Sequence, residues 1–203
     1  MDRINRLSGT PERDALLTRV IRAMMEIIIG SYRYELGANL PDNINYREKS
    51  KGPNKGQYGY YINNQVEDII FAIERLNINK TLDIGAGVGH VVAILRQLGF
   101  QIRGIENEPA LFEKSRLITS NIFLKDFFET TKGYMSYYDA FYFWEPVFDE
   151  KLAERFVKHL SEVVGKDTHI LYKCSGPIGF YLHRDPSFIR LEGCNSISIY
   201  KKK

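Results

Sequence analysis

The chain predicts an α/β fold, a doubly wound and mostly parallel seven-stranded sheet that ends in an antiparallel C-terminal strand pair. Three observations support this. Short apolar runs at 81–86, 101–106, 121–125, 139–144 and 169–174 read as strands, and helical spacing fills most of the gaps between them. Runs at 187–192 and 196–201 are joined by a short turn, which suits an antiparallel closing pair. A glycine-rich turn leads directly from the first strand into its helix. Strands alternating with helices in this way build a parallel sheet covered on both faces.

An N-terminal helical and loop extension precedes that core. Thr10 caps a helix with Pro11 in its first turn, and Leu16, Leu17, Val20, Ile21, Met24, Ile27 and Ile28 follow at helical spacing up to Gly30. Residues 31–57 break any long element with Gly37, Pro41, Gly52, Pro53 and Gly56, and carry a basic patch of Arg47, Lys49, Lys51 and Lys55. Tyr32, Tyr34, Tyr46, Tyr58, Tyr60 and Tyr61 make residues 31–61 too aromatic for a disordered linker. It reads as a loop or lid. Asn63 or Asn64 then caps a helix through Val66, Ile69, Ile70, Ile73 and Leu76.

The core elements follow in order. Helix 89–98, closed by Gly99, comes after strand 81–86, and helix 109–118, with Pro109 in its first turn, after strand 101–106. A short connection links strand 121–125 to strand 139–144, a helix occupies 149–163, and a turn or short helix lies near 177–183. The domain division is therefore 1–64 for the extension and 65–203 for the α/β unit.

Composition narrows the function class. The 203 residues are 44% hydrophobic and 26% charged, ordinary for a globular domain, and the net charge of +3 implies no strong polyanion-binding field. Cys174 and Cys194 do not make a disulfide framework. No apolar run approaches the roughly 18 residues of a membrane span, and the arginines at 3, 6, 13, 19 and 22 interrupt any secretion signal. A cytoplasmic protein is expected. His90, His159, His169 and His183 lack ligand spacing, so no metal site is expected. Oligomeric state is not legible.

The chemistry concentrates at strand ends. Asp83-Ile84-Gly85-Ala86-Gly87-Val88-Gly89-His90 places a carboxylate before a turn whose glycines let backbone approach a ligand. A dinucleotide fingerprint needs Gly-x-Gly-x-x-Gly, but His90 holds its third position. The spacing Asp-x-Gly-x-Gly-x-Gly resembles motif I of class I S-adenosylmethionine-dependent methyltransferases, whose domain is Rossmann-like. Glu106 ends the second strand, where an acid takes ribose hydroxyls in nucleotide-binding α/β folds. Asp126-Phe127 ends the third and resembles the adenine pocket of these enzymes, with the carboxylate on the exocyclic amine and the Phe127 N–H on a ring nitrogen.

A closer resemblance is to the non-SET nucleosomal lysine methyltransferases (the disruptor-of-telomeric-silencing family). Tyr58-Gly59 before a helix, Gly85 to Val92, Lys125-Asp126-Phe127, and Phe148 to Phe156 carry it. It implies a seven-stranded class I fold, S-adenosyl-L-methionine as donor, and a protein lysine as acceptor. By this resemblance Asp83, Gly85, Gly87 and Gly89 form the donor loop, Glu106 holds the ribose, and Asp126 with Phe127 holds the adenine.

The acceptor side departs from that family. Where it carries an Asn-Asn-Phe type motif, this chain has Trp144-Glu145-Pro146. Glu145 is the candidate to orient the acceptor amine or take its proton. Trp144, Tyr142 and Phe148 are candidates to face a cation or a flat base. Glu145-Pro146-Val147-Phe148 is also a distorted form of the Asn-Pro-Pro-Tyr type motif of nucleic acid base amino-methyltransferases. A small-molecule acceptor and a non-catalytic donor-binding scaffold are further alternatives. Leu171 to Ser175 resembles the cysteine segment of RNA cytosine-C5 methyltransferases, but no second cysteine follows the fourth strand, and Cys174 reads as structural.

Overall fold

The computed structural model describes residues 47–49, 57–59, 65–144, 146–147, 149–173, 176–191, 193 and 197–203. Strands β1 (Arg47–Lys49) and β2 (Gln57–Gly59) pair antiparallel, so two short strands lie within the stretch expected to be loop. The expected helix after Thr10 lies outside the described residues, as does the rest of the extension up to position 64.

Helix α1 (Gln65–Arg75) opens the core and presents Ile69, Ile70, Ala72 and Ile73 to it. The chain then alternates through β3 (Lys80–Ile84), α2 (His90–Gln97), β4 (Gln101–Glu106), α3 (Pro109–Ser115) and β5 (Ile122–Leu124). Pro109 sits in the first turn of α3, where its missing N–H costs nothing. Gly99, at φ 91°, closes the chain after α2.

The connection from β5 holds more structure than expected. A 3₁₀ turn at Phe127–Glu129 is followed by a short helix, α4 (Lys132–Met135). Asp126 and Thr131 cap them, their side chains accepting from Phe128 N and Tyr134 N. Strand β6 (Ala140–Trp144) leads to α5 (Glu150–Val163), capped by Asp149, and then to β7 (His169–Lys173). Helix α6 (Pro177–Arg184), β8 (Phe188–Arg190) and β9 (Ile197–Lys202) finish the chain.

The seven core strands run in the order β5-β4-β3-β6-β7-β9-β8. Pairs from β5 to β7 are parallel, and β9 runs antiparallel to both β7 and β8. The doubly wound sheet with an antiparallel C-terminal pair is therefore present as expected. Alternate β6 residues enter opposite cores, Ala140 and Tyr142 on one face, Phe141 and Phe143 on the other. The first core packs α1 and α2; the second packs α5 and α6. Sequence order reverses between β3 and its neighbours β4 and β6, so the ends of these central strands flank the crevice where such sheets bind ligands. Among the described residues, no helix is long and apolar enough to cross a membrane, and no cluster of His, Cys, Asp or Glu could hold a metal ion.

Candidate functional site

The loop after β3 is shaped by its backbone. Gly85 N–H and Ala86 N–H both donate to the Ile105 carbonyl at 3.0 Å, which ties the turn to β4. Gly85, Gly87 and Gly89 have φ of 77°, 57° and 85°, a region that side chains with a β-carbon rarely adopt. Their surroundings differ. A β-carbon on Gly87 would meet nothing within 4 Å, so this glycine borders open space. One on Gly89 would strike Ile122 and lie 3.2 Å from Thr119, so packing under α2 demands that glycine. One on Gly85 would lie 2.9 Å from the Pro146 β-carbon, which brings the loop after β6 onto the glycine loop.

Glu106 is held rigidly at the end of β4. Its Oε2 accepts from Gly87 N–H at 2.8 Å and its Oε1 from Glu108 N–H at 2.9 Å. Backbone N–H groups from both sides thus fix both carboxylate oxygens in place. Glu106 is only 5% exposed. Burial pushes its pKa up, against the backbone N–H bonds that favour the charged form. Asp83 is 3% exposed, and burial, followed by the charge of Glu106, raises its pKa well above its ordinary value. Two acids desolvated this deeply beside one loop are costly, and such groups concentrate at functional sites. His90, first residue of α2, is pushed by burial down to about 4, so it adds no positive charge there at neutral pH.

Asp126 follows β5, and its Oδ1 accepts from Phe128 N–H at 2.9 Å. The Phe127 ring turns into the second core, 4.3 Å from Phe156 and 5.0 Å from His159 between ring centroids. What Phe127 offers a ligand is therefore its backbone. Asp83, Glu106 and the glycine loop gather at one end of β3 and β4, while Asp126 lies just beyond β5, the next strand over.

On the β6 side, Trp144 is half-buried and packs against the first core. Glu145, Phe148 and Cys174 lie outside the described residues. Tyr142 corrects an expectation. It is 2% exposed within the sheet, its Cα paired with that of Asp83, so it presents no face to an incoming ring. Among the described residues its hydroxyl has no hydrogen-bond partner.

Two residues of this region were not singled out in the sequence. Gly104 sits mid-strand in β4, where a β-carbon would come 2.6 Å from that of Ala86, so it makes room for the glycine loop. A lone glycine inside a strand pattern is the signal that marks it. Asp68, 5% exposed on α1, gave none, since it stands beside Glu67 and reads as part of a solvated acidic pair.

No protein-family model and no curated protein matches the chain. Solved structures do. Magnesium protoporphyrin IX methyltransferase from Synechocystis PCC 6803, with bound S-adenosylmethionine, superposes with a TM-score of 0.54 at 14% identity, covering 68% of this chain and 78% of that one. The PH0226 protein of Pyrococcus horikoshii gives 0.52 at 14%, covering 68% and 90%. A TehB-like S-adenosylmethionine-dependent methyltransferase from Corynebacterium glutamicum gives 0.52 at 14%, covering 70% and 89%. The fold of this chain is the one that these two methyltransferases share.

Proposed function

We propose that the chain is an S-adenosyl-L-methionine-dependent methyltransferase that N-methylates an amine, with a protein lysine as acceptor. The observation that supports this most is the fixed Glu106 carboxylate, clamped by the N–H of Gly87, whose own β-carbon side is open. In this reading Glu106 accepts from both ribose hydroxyls. Asp126 accepts from the adenine amine, Phe127 N–H reaches a ring nitrogen, and Asp83 with Gly85, Gly87 and Gly89 shapes the wall beside the amino-acid end. When bound, the cofactor supplies a methyl group made electrophilic by its sulfonium. The protein must then align amine, carbon and sulfur, an effect that contributes up to about 7–11 kcal/mol. Glu145 orients the amine and takes its proton directly or through water, while Trp144 faces the acceptor. Residues 1–64 act as a lid on the acceptor side, and the enzyme works in the cytoplasm. The lysine acceptor rests on the residues shared with the non-SET lysine methyltransferases at 85–92, 125–127 and 148–156.

Calorimetry with S-adenosylmethionine tests the donor half. Glu106→Ala and Asp126→Ala are each expected to weaken binding at least about tenfold, the size of one charge-assisted contact. Equal affinity in both variants removes the donor site. Tritiated-methyl transfer into a lysate tests the acceptor half. Label lost to protease and kept through nuclease supports a protein amine; the reverse rejects it. Glu145→Gln is expected to slow transfer and spare donor affinity.

A further inference from the structure

The sheet face that carries the second core changes character towards its β5 edge. Side chains two apart on a strand share a face, so Lys80 lies with Leu82 and Arg103 with Ile105, both second-core residues. Phe123 is the Cα partner of Ile105 and joins the same face. Here the surface is aromatic and basic. Phe123 and Tyr137 are 43% and 48% exposed. The Lys80 Nζ stands 4.1 Å from the Tyr137 ring centroid, and the Arg103 guanidinium lies 5.5 Å from Tyr137 and 5.7 Å from Phe123. Towards Asp126, the Lys125 Nζ lies 5.4 Å from the Tyr134 ring. Among the described residues, none of these three cations pairs with a carboxylate. The Asp139 Oδ2 accepts instead from the backbone N–H groups of Asn79 and Lys80. Tyr138, 5% exposed, anchors the outer rings, meeting Tyr137 edge-on at 5.1 Å and Tyr134 at 5.9 Å.

We propose that this face, from Lys80 through Arg103, Tyr137 and Phe123 to Lys125, docks single-stranded nucleic acid. Unpaired bases stack on the exposed Tyr137 and Phe123 rings, while the three cations take the phosphates. An acidic peptide would engage the cations and leave the rings uncovered. A duplex hides its base faces and would do the same. The net charge of the chain is only +3, so the attraction is local to this face. Lys125 directly precedes Asp126, so a strand lying here runs towards the proposed donor site, but its binding does not depend on the donor.

Fluorescence anisotropy on the full chain, with a labelled oligouridylate of about twelve nucleotides, tests this. The wild-type chain is expected to bind it more tightly than an RNA duplex of equal length, with a log–log salt slope of about −2 from three cations. Phe123→Ala combined with Tyr137→Ala is expected to lower affinity at least about tenfold and to spare the slope. Arg103→Gln is expected to reduce the slope by about 0.7. Arg96→Gln, on α2 across the sheet, removes the same charge and is expected to change neither. All four positions are exposed, so these variants are expected to fold, which thermal unfolding checks. No binding of the oligouridylate, equal binding of the duplex with the aromatic variant unaffected, or an equal loss from Arg96→Gln overturns the proposal. Polyglutamate bound in place of the oligonucleotide also overturns it and assigns the face to an acidic peptide. Dimers that the aromatic variant abolishes, with no oligonucleotide bound, assign it to a second copy of the chain. None of these readouts uses S-adenosylmethionine, so failure of the methyltransferase reading leaves them standing.

Discussion

The two halves of the central sheet use their residues differently. Around β3 and β4 the strands end in buried carboxylates and in glycine at positive φ: Asp83, Glu106, Gly87. Around β6 and β7 the strands are nearly all hydrocarbon and ring, with Phe141, Phe143, Leu171 and Tyr172 almost wholly buried. The first half forgoes stability to keep polar groups desolvated at an opening. The second half supplies the packing that lets it do so. On the β6 side Ala140 to Phe143 are core, which leaves Trp144 at the strand end and the residues after it for chemistry.

This contrast can be broken most sharply from the packed half. Phe156 is 1% exposed, with its ring 4.3 Å from Phe127 and 5.1 Å from Phe143. Phe156→Ala is expected to cost about 3–5 kcal/mol in chemical denaturation. Where folded protein remains, its affinity for S-adenosylmethionine is expected to stay within a few-fold of wild type. A collapse in affinity at small stability cost would mean that the halves are not separable in this way.

The glycine loop gives the next largest effect. Gly89→Ala drives a β-carbon into Ile122 at a positive φ, and about 2–4 kcal/mol of stability is expected to be lost. Gly87→Ala meets only the backbone penalty, about 1–2 kcal/mol, and its loss is expected mainly in ligand affinity. Equal stability costs at both positions would show that the loop's surroundings do not divide as described.

The smallest effect carries the opposite sign. The folded-state pKa of Asp83 is raised, so the folded form holds the proton more tightly than the unfolded chain. Stability from this group is present below the ordinary carboxylate pKa and is lost as pH rises through the raised value. Asp83→Asn is therefore expected to raise the unfolding midpoint by a few degrees, more at pH 8 than at pH 5, while weakening ligand binding. A midpoint lowered equally at both pH values would mean that Asp83 is structural.

Much of the β3–β4 half was legible because its signals are local. A glycine that needs positive φ, an acid at the end of an apolar run and a proline at the start of a helix each act within a few residues. The 3₁₀ turn and α4 were less legible because both are short and stand on single caps, Asp126 and Thr131, without a periodic apolar stripe. Tyr142 was misplaced for a different reason. Helices pack on both sides of the sheet, so β6 buries both of its faces, and alternation then no longer tells which aromatic looks outward.

By itself, the sequence determined the order of strands and helices, the parallel sheet with its reversed last pair, and the residue types at each strand end. Period, capping and backbone freedom are properties of neighbouring residues, so they survive in a linear reading. Only the tertiary structure decided that Gly85 rests against Pro146, that the Phe127 ring belongs to the core, and that Asp68 and Asp83 both bear on Tyr142. Those contacts join segments far apart along the chain. They are set by how helices settle on a twisted sheet, which no local pattern encodes.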